Sequence, residues 1–143
     1  MSAKRIPKLD DLSFTRKQVQ NALRTGRSLE GFDLRGLDLS GINFDGANLR
    51  NCKLAEANLS NCSFREANLS EASLWRANLR NSILDGAELR GTDLEWCNLE
   101  GCTVKDVRMQ RTILPLQLMS REQWDEAIRT GDRLQLRTPT ALQ

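Results

Sequence analysis

An all-β solenoid with a short helix at each end is the fold class this sequence predicts, and three observations predict it. A large apolar residue recurs at every fifth position, a second series runs two residues ahead of it, and two helix-start signals flank the repeat. From Leu34 to Leu99 the fifth residue is Leu or Phe for fourteen consecutive steps, although those types fill only 27 of 143 positions. Val104 and Met109 continue the series. The leading series begins Phe32, Leu37, Ile42 and then turns small: Ala47, Cys52, Ala57, Cys62, Ala67, Ala72, Ala77, Ser82. A period of five fits neither the roughly 3.6-residue period of a helix nor the alternation of a long strand. It fits a narrow coil of short flat faces, with two inward residues per face and a turn between faces.

The elements follow in order along one expected domain, residues 1–143. Residues 1–14 read as an N-terminal arm. Thr15-Arg16-Lys17-Gln18 matches a capping box, with Phe14 and Val19 placed for a hydrophobic staple, so residues 15–26 read as a helix ended by Gly26. Val19, Ala22 and Leu23 share its apolar side, expected to lie over Phe32, Leu37 and Ile42. The repeat occupies residues 29–115, with Pro115 as its stop. Ser120-Arg121-Glu122-Gln123 is a second capping box, stapled by Met119 and Trp124, and predicts a helix over 120–131 ended by Gly131. Its apolar side is Trp124, Ala127 and Ile128. Leu134 and Leu136 are placed to pack back on the solenoid, and residues 137–143 read as a flexible tail.

Ala47-Asn48-Leu49-Arg50-Asn51, Ala57-Asn58-Leu59-Ser60-Asn61, Ala67-Asn68-Leu69-Ser70-Glu71 and Ala77-Asn78-Leu79-Arg80-Asn81 carry a family resemblance. They resemble the A-(D/N)-L-x-x motif of pentapeptide repeat proteins, and the likeness covers about Phe32 to Arg111. It implies a right-handed quadrilateral β-helix with four pentapeptides per coil, hence about four coils here. At roughly 4.8 Å between neighbouring strands, that is a rod on the order of 20 Å long.

Composition removes several function classes. Histidine and tyrosine are absent, which excludes Ser-His-Asp and Cys-His nucleophile systems and the commonest metal ligand. Cys52, Cys62, Cys97 and Cys102 form no Cys-x-x-Cys pair, and all four fall in the small inward series. Buried reduced thiols are expected there, not a metal or redox site. The glycines at 36, 41, 46, 86, 91 and 101 keep the repeat spacing and form no phosphate loop. The carboxylates fall on convex outer faces with no pocket, so no enzyme, cofactor or small-molecule substrate is expected. With no apolar run long enough for a signal peptide or a membrane span, the cytoplasm is the expected compartment.

Residues twenty apart share a face, which lets the surface be read in columns. Asp45, Arg65, Asp85 and Lys105 alternate in sign along one, and Asp38, Asn58, Asn78 and Asn98 form a polar ladder on another. Both read as solvated surface. Trp75 and Trp96 project from one face where the pattern supplies small or polar residues, with Arg76 and Glu56 in the same column and Arg80 opening the next face. Trp and Arg are enriched at binding hot spots, so Trp75, Trp96, Arg76, Arg80 and Glu56 are the candidate partner-binding face. The competing expectation is that the Ile113–Met119 linker or the second helix folds over Trp96. Ile83 also points outward.

The expected function is therefore a non-enzymatic scaffold or adaptor for a protein partner. The resemblance supplies two alternatives: a DNA mimic that binds a topoisomerase such as gyrase, and a bacterial effector or secretion-associated protein. Mimicry needs a strongly negative rod, but residues 32–111 hold 10 basic and 12 acidic side chains, a net of −2. Direct nucleic-acid binding is disfavoured too, since residues 1–31, with 7 basic and 3 acidic side chains, give only +4 and no aromatic platform. The C-terminal helix is also a candidate homodimer interface.

Overall fold

Five residues make one unit of this chain, and its turn chemistry explains the period. In Leu49-Arg50-Asn51-Cys52 the Cys52 amide donates to the Leu49 carbonyl at 3.1 Å, closing a β-turn. Asn51, at the third position, is left-handed with φ 58°, as a type II turn requires. The same left-handed corner recurs at every fifth residue from Gly31 to Arg111. Where Asn or Asp precedes the large residue, it supports the turn: Asn58 Oδ1 accepts from the Ser60 amide at 3.1 Å and Asn68 Oδ1 from the Ser70 amide at 3.0 Å. These Asx turns account physically for the D/N position of the motif.

The computed structural model describes residues 14–136. The tail, and all of the N-terminal arm before Phe14, lie outside the described residues. Parallel bridges join residues twenty apart in four columns: Asp33, Lys53, Ser73, Asp93, Ile113; Asp38, Asn58, Asn78, Asn98; Asn43, Ser63, Ile83, Thr103; and Asn48, Asn68, Glu88, Arg108. The chain is thus a β-helix solenoid in which each bridge residue inside a column pairs with the coils before and after it, and those at the column ends with one coil only. Pairing ends at Ile113, two residues before Pro115.

The large series fills the interior. Leu34, Leu39, Phe44, Leu49 and their successors to Val104 are fully buried in one hydrophobic cluster, and Phe44 stacks on Phe64 with ring centroids 5.0 Å apart. All four cysteines are buried and free. Each thiol donates to the main-chain carbonyl of a large residue in the coil before: Cys52 to Leu29, Cys62 to Leu39, Cys97 to Leu74 and Cys102 to Leu79, at 2.6–3.1 Å. Ser82 and Thr92 do the same to Leu59 and Leu69. A polar atom at the small position is therefore buried at little cost, because the carbonyl wall beside it can accept.

Helix α1 spans Arg16–Arg24 and α2 spans Arg121–Thr130. Both begin with reciprocal capping boxes, Thr15 with Gln18 and Ser120 with Gln123. Val19 and Ala22 of α1 enter the core cluster, and Phe14 stacks on Phe32 at 4.2 Å between centroids. In α2, Trp124 and Ala127 are buried, and the Trp124 indole N–H donates to the Met109 sulfur. After Gly131, at φ 79°, the chain returns to the last coil. The Leu134 amide donates to the Cys102 carbonyl and its carbonyl accepts from Gly101, both at 2.8 Å. That pairing covers a stretch of exposed strand edge.

Candidate protein-interaction face

The first column and its flanking corners carry the sequence-predicted face. Trp75 lies between Ala55 and Glu95, its register neighbours twenty residues away, and Glu56, Arg76 and Trp96 are successive corners. Backbone bonds hold them in line: the Glu56 amide donates to the Trp75 carbonyl at 2.9 Å, and the Arg76 amide to the Glu95 carbonyl at 3.0 Å. Trp75 is half-buried, with the Arg76 guanidinium 4.8 Å from its ring centroid. A guanidinium over an indole face is a cation–π contact.

Trp96 differs from Trp75. It is 47% exposed, so among the described residues neither the linker nor α2 buries it. The linker instead leaves Ile113 and Leu116 exposed, at 50% and 58%. Ile113 is bridged to Asp93, three residues before Trp96 in the same turn of chain. Trp96 also holds the left-handed conformation, at φ 62°, which costs an L-residue about 1–2 kcal/mol. Arg80 opens the second face, where its amide donates to Asn78 Oδ1, and Glu56 is exposed.

Asp93 and Glu95 were not among the residues singled out from sequence. Asp93 Oδ1 accepts from the Glu95 amide at 2.9 Å, which draws this carboxylate to the residue before Trp96. The twenty-residue register already placed both beside the tryptophans. Among the described residues, none of Glu56, Asp93 and Glu95 has a cationic side chain within ion-pair distance, the pairs being formed elsewhere.

The other faces have structural explanations. On the third, Asp45 Oδ1 accepts from the Arg65 amide and Asp85 Oδ1 from the Lys105 amide, at 2.9 and 3.0 Å. Ser63 and Thr103 stand where other units have Asn or Asp, so a carboxylate from the coil before satisfies the corner amide instead. The two aspartates are thus backbone ligands, and among the described residues neither forms an ion pair. On the second, Asn58 Nδ2 donates to Asp38 Oδ1, which also accepts from the Ser40 hydroxyl and amide; the two Ser40 bonds hold the Asp38 carboxyl below its usual range. On the fourth, Glu71 pairs with Arg111 at 3.5 Å and Glu66 and Glu88 with Arg108 at 3.8 Å. These exposed pairs contribute about 0–1 kcal/mol each. Among the described residues no group of His, Cys, Asp or Glu is placed to hold a metal ion, and no helix is long and apolar enough to cross a membrane.

The twenty-residue register and left-handed corners agree with a comparison of families: "Pentapeptide repeats (8 copies)" matches residues 28–65 and 62–101. The chain belongs to the pentapeptide repeat family. No curated protein matches it. Among solved structures, this pentapeptide repeat protein is similar to one from Nostoc at 23% identity, covering 82% of this chain and 96% of that one, with a TM-score of 0.69. That likeness bears on the fold alone. A pentapeptide repeat protein from the Arabidopsis thaliana thylakoid lumen matches at 30% identity, 57% of this chain, 61% of that one and a TM-score of 0.46. The chain thus spans about three-fifths of the Arabidopsis protein's length. QnrB1, a plasmid-mediated fluoroquinolone resistance protein, matches at 20% identity, 62% of this chain and 60% of that one, with a TM-score of 0.32.

Proposed function

We propose that this pentapeptide repeat protein is a non-enzymatic interaction module that binds a protein partner in the cytoplasm through its first face. The scaffold of this reading is a single domain: a right-handed quadrilateral β-helix of about four coils, closed by α1 and α2. Trp75, Trp96 and Arg76 are the anchors, with Glu56 and Arg80 at the margin. The observation that carries the reading is Trp96, a large aromatic left about half exposed at a corner of the first face. Trp and Arg are among the residues most enriched at hot spots.

Charge argues against imitation of duplex DNA, because arginines interleave with the acids over residues 32–111. Burial of Trp124 and Ala127 supports a capping role for α2 over a dimer interface. The test is affinity capture from the source cell's lysate, comparing wild type with Trp75→Ala/Trp96→Ala after both are shown to unfold at the same urea concentration. A partner retained by wild type and lost by the double variant supports the reading. Equal capture moves the site to another face.

A further inference from the structure

We propose that Trp96, with Asp93 and Glu95, receives an arginine or lysine side chain from an extended basic segment of the partner. This rests on the interaction-module reading and specifies the partner's chemistry. Trp75 supplies the template within the same face: its ring already carries a cation, the Arg76 guanidinium at 4.8 Å. Trp96 is the more exposed indole, and among the described residues no cation lies over its ring. An open indole attracts a guanidinium or ammonium through its quadrupole.

The local charge selects the same ligand. Asp93 turns its carboxylate onto the Glu95 amide, and Glu95 immediately precedes Trp96, so two acidic residues flank this corner in the chain, neither with an ion-pair partner among the described residues. Arg76, in the corner before Trp96, is already over Trp75. A partner cation therefore meets one π face and two acids, a complementary field that also favours fast encounter. Ile113 and Leu116, both exposed, add an apolar shoulder. A segment in which basic and aliphatic residues alternate would present one kind to the indole and the other to that shoulder.

The probe is an acetylated, amidated heptapeptide of alternating arginine and valine, with its glutamate–valine counterpart as control. The readout is the set of indole N–H resonances of the full chain, assigned with Trp75→Phe and Trp96→Phe. The Trp96 signal should shift saturably with the arginine peptide, less so as salt rises, while the buried Trp124 signal stays in place. Asp93→Asn/Glu95→Gln, which keeps the acceptor for the Glu95 amide, should weaken binding about fivefold with an unchanged urea midpoint. Equal shifts with the glutamate peptide, or equal affinity of the acid-neutralised variant, would overturn the cation site. If that variant still captures a partner that Trp96→Ala loses, the cation site falls while the interaction module stands. If Trp96→Ala captures the partner undiminished, the module reading itself fails.

Discussion

Between Gly31 and Arg111 ten corners hold a residue other than glycine at positive φ and seven hold glycine. Asn51, Asn61, Asn81 and Asp106 are types that tolerate this region, but Glu56, Arg76 and Trp96 are not. Glu56→Gly should raise stability by about 0.5–1 kcal/mol, the left-handed strain relieved less the added chain entropy of glycine. Urea denaturation checks it, and a loss of stability would contradict the strain argument. The thiols make a second residue-scale prediction. Burial pushes Cys52 and Cys62 up from 9.0 to about 11 and Cys102 to about 12, and raises Cys97 further still. The folded chain thus holds these protons more tightly than the unfolded chain does. Their contribution to stability is complete below about pH 9 and is lost as pH rises through 11 and beyond. The urea midpoint should fall over that window, and Cys52→Ala/Cys62→Ala should flatten the fall. An identical decline in both proteins would assign it to other groups.

Both helices pack against the repeat: Val19 and Ala22 of α1 join its core cluster, and Trp124 of α2 donates to Met109. α2 places Trp124 against Met109, and the chain beyond it pairs Leu134 with Gly101 and Cys102, so a helix and an extended segment close the end together. Ser120 starts this closure by accepting the Gln123 amide at 3.2 Å while Gln123 Oε1 accepts from the Ser120 amide at 2.9 Å. Ser120→Ala should cost about 1 kcal/mol in urea denaturation, and an effect near zero would mean that tertiary burial of Trp124 alone fixes the helix start. The capping boxes were readable from four-residue windows. The return of Leu134 to the solenoid was readable too, but not its main-chain partners, because residues 132–136 follow no repeat and those partners are set by where α2 releases the chain.

Across the molecule, legibility follows the period. Inward positions were plain because every coil imposes the same choice of small and large side chains. Bonds such as Cys97 to Leu74, twenty-three residues apart, depend on stacking that no local window displays. Left-handed corners were legible at glycines and hidden at Arg76 and Trp96, whose side chains carry no signal for positive φ. The exposure of Trp96 was open because the chain after Ile113, where bridging ends, no longer follows the repeat. The register makes a global prediction. Leu79 is fully buried, so Leu79→Asp places a carboxylate in an apolar interior with no partner and should abolish cooperative folding, read by circular dichroism and gel filtration. A stable folded variant would refute the inward assignment.

The central claim, that the first face is where a partner docks, is tested most directly by hydroxyl-radical footprinting of the chain alone and in complex with its captured partner. The account predicts that Trp96 and Ile113 lose reactivity on binding while Arg50 and Arg90 on the fourth face keep theirs. Trp96 as reactive in the complex as in the free chain, with protection on the fourth face, would contradict it.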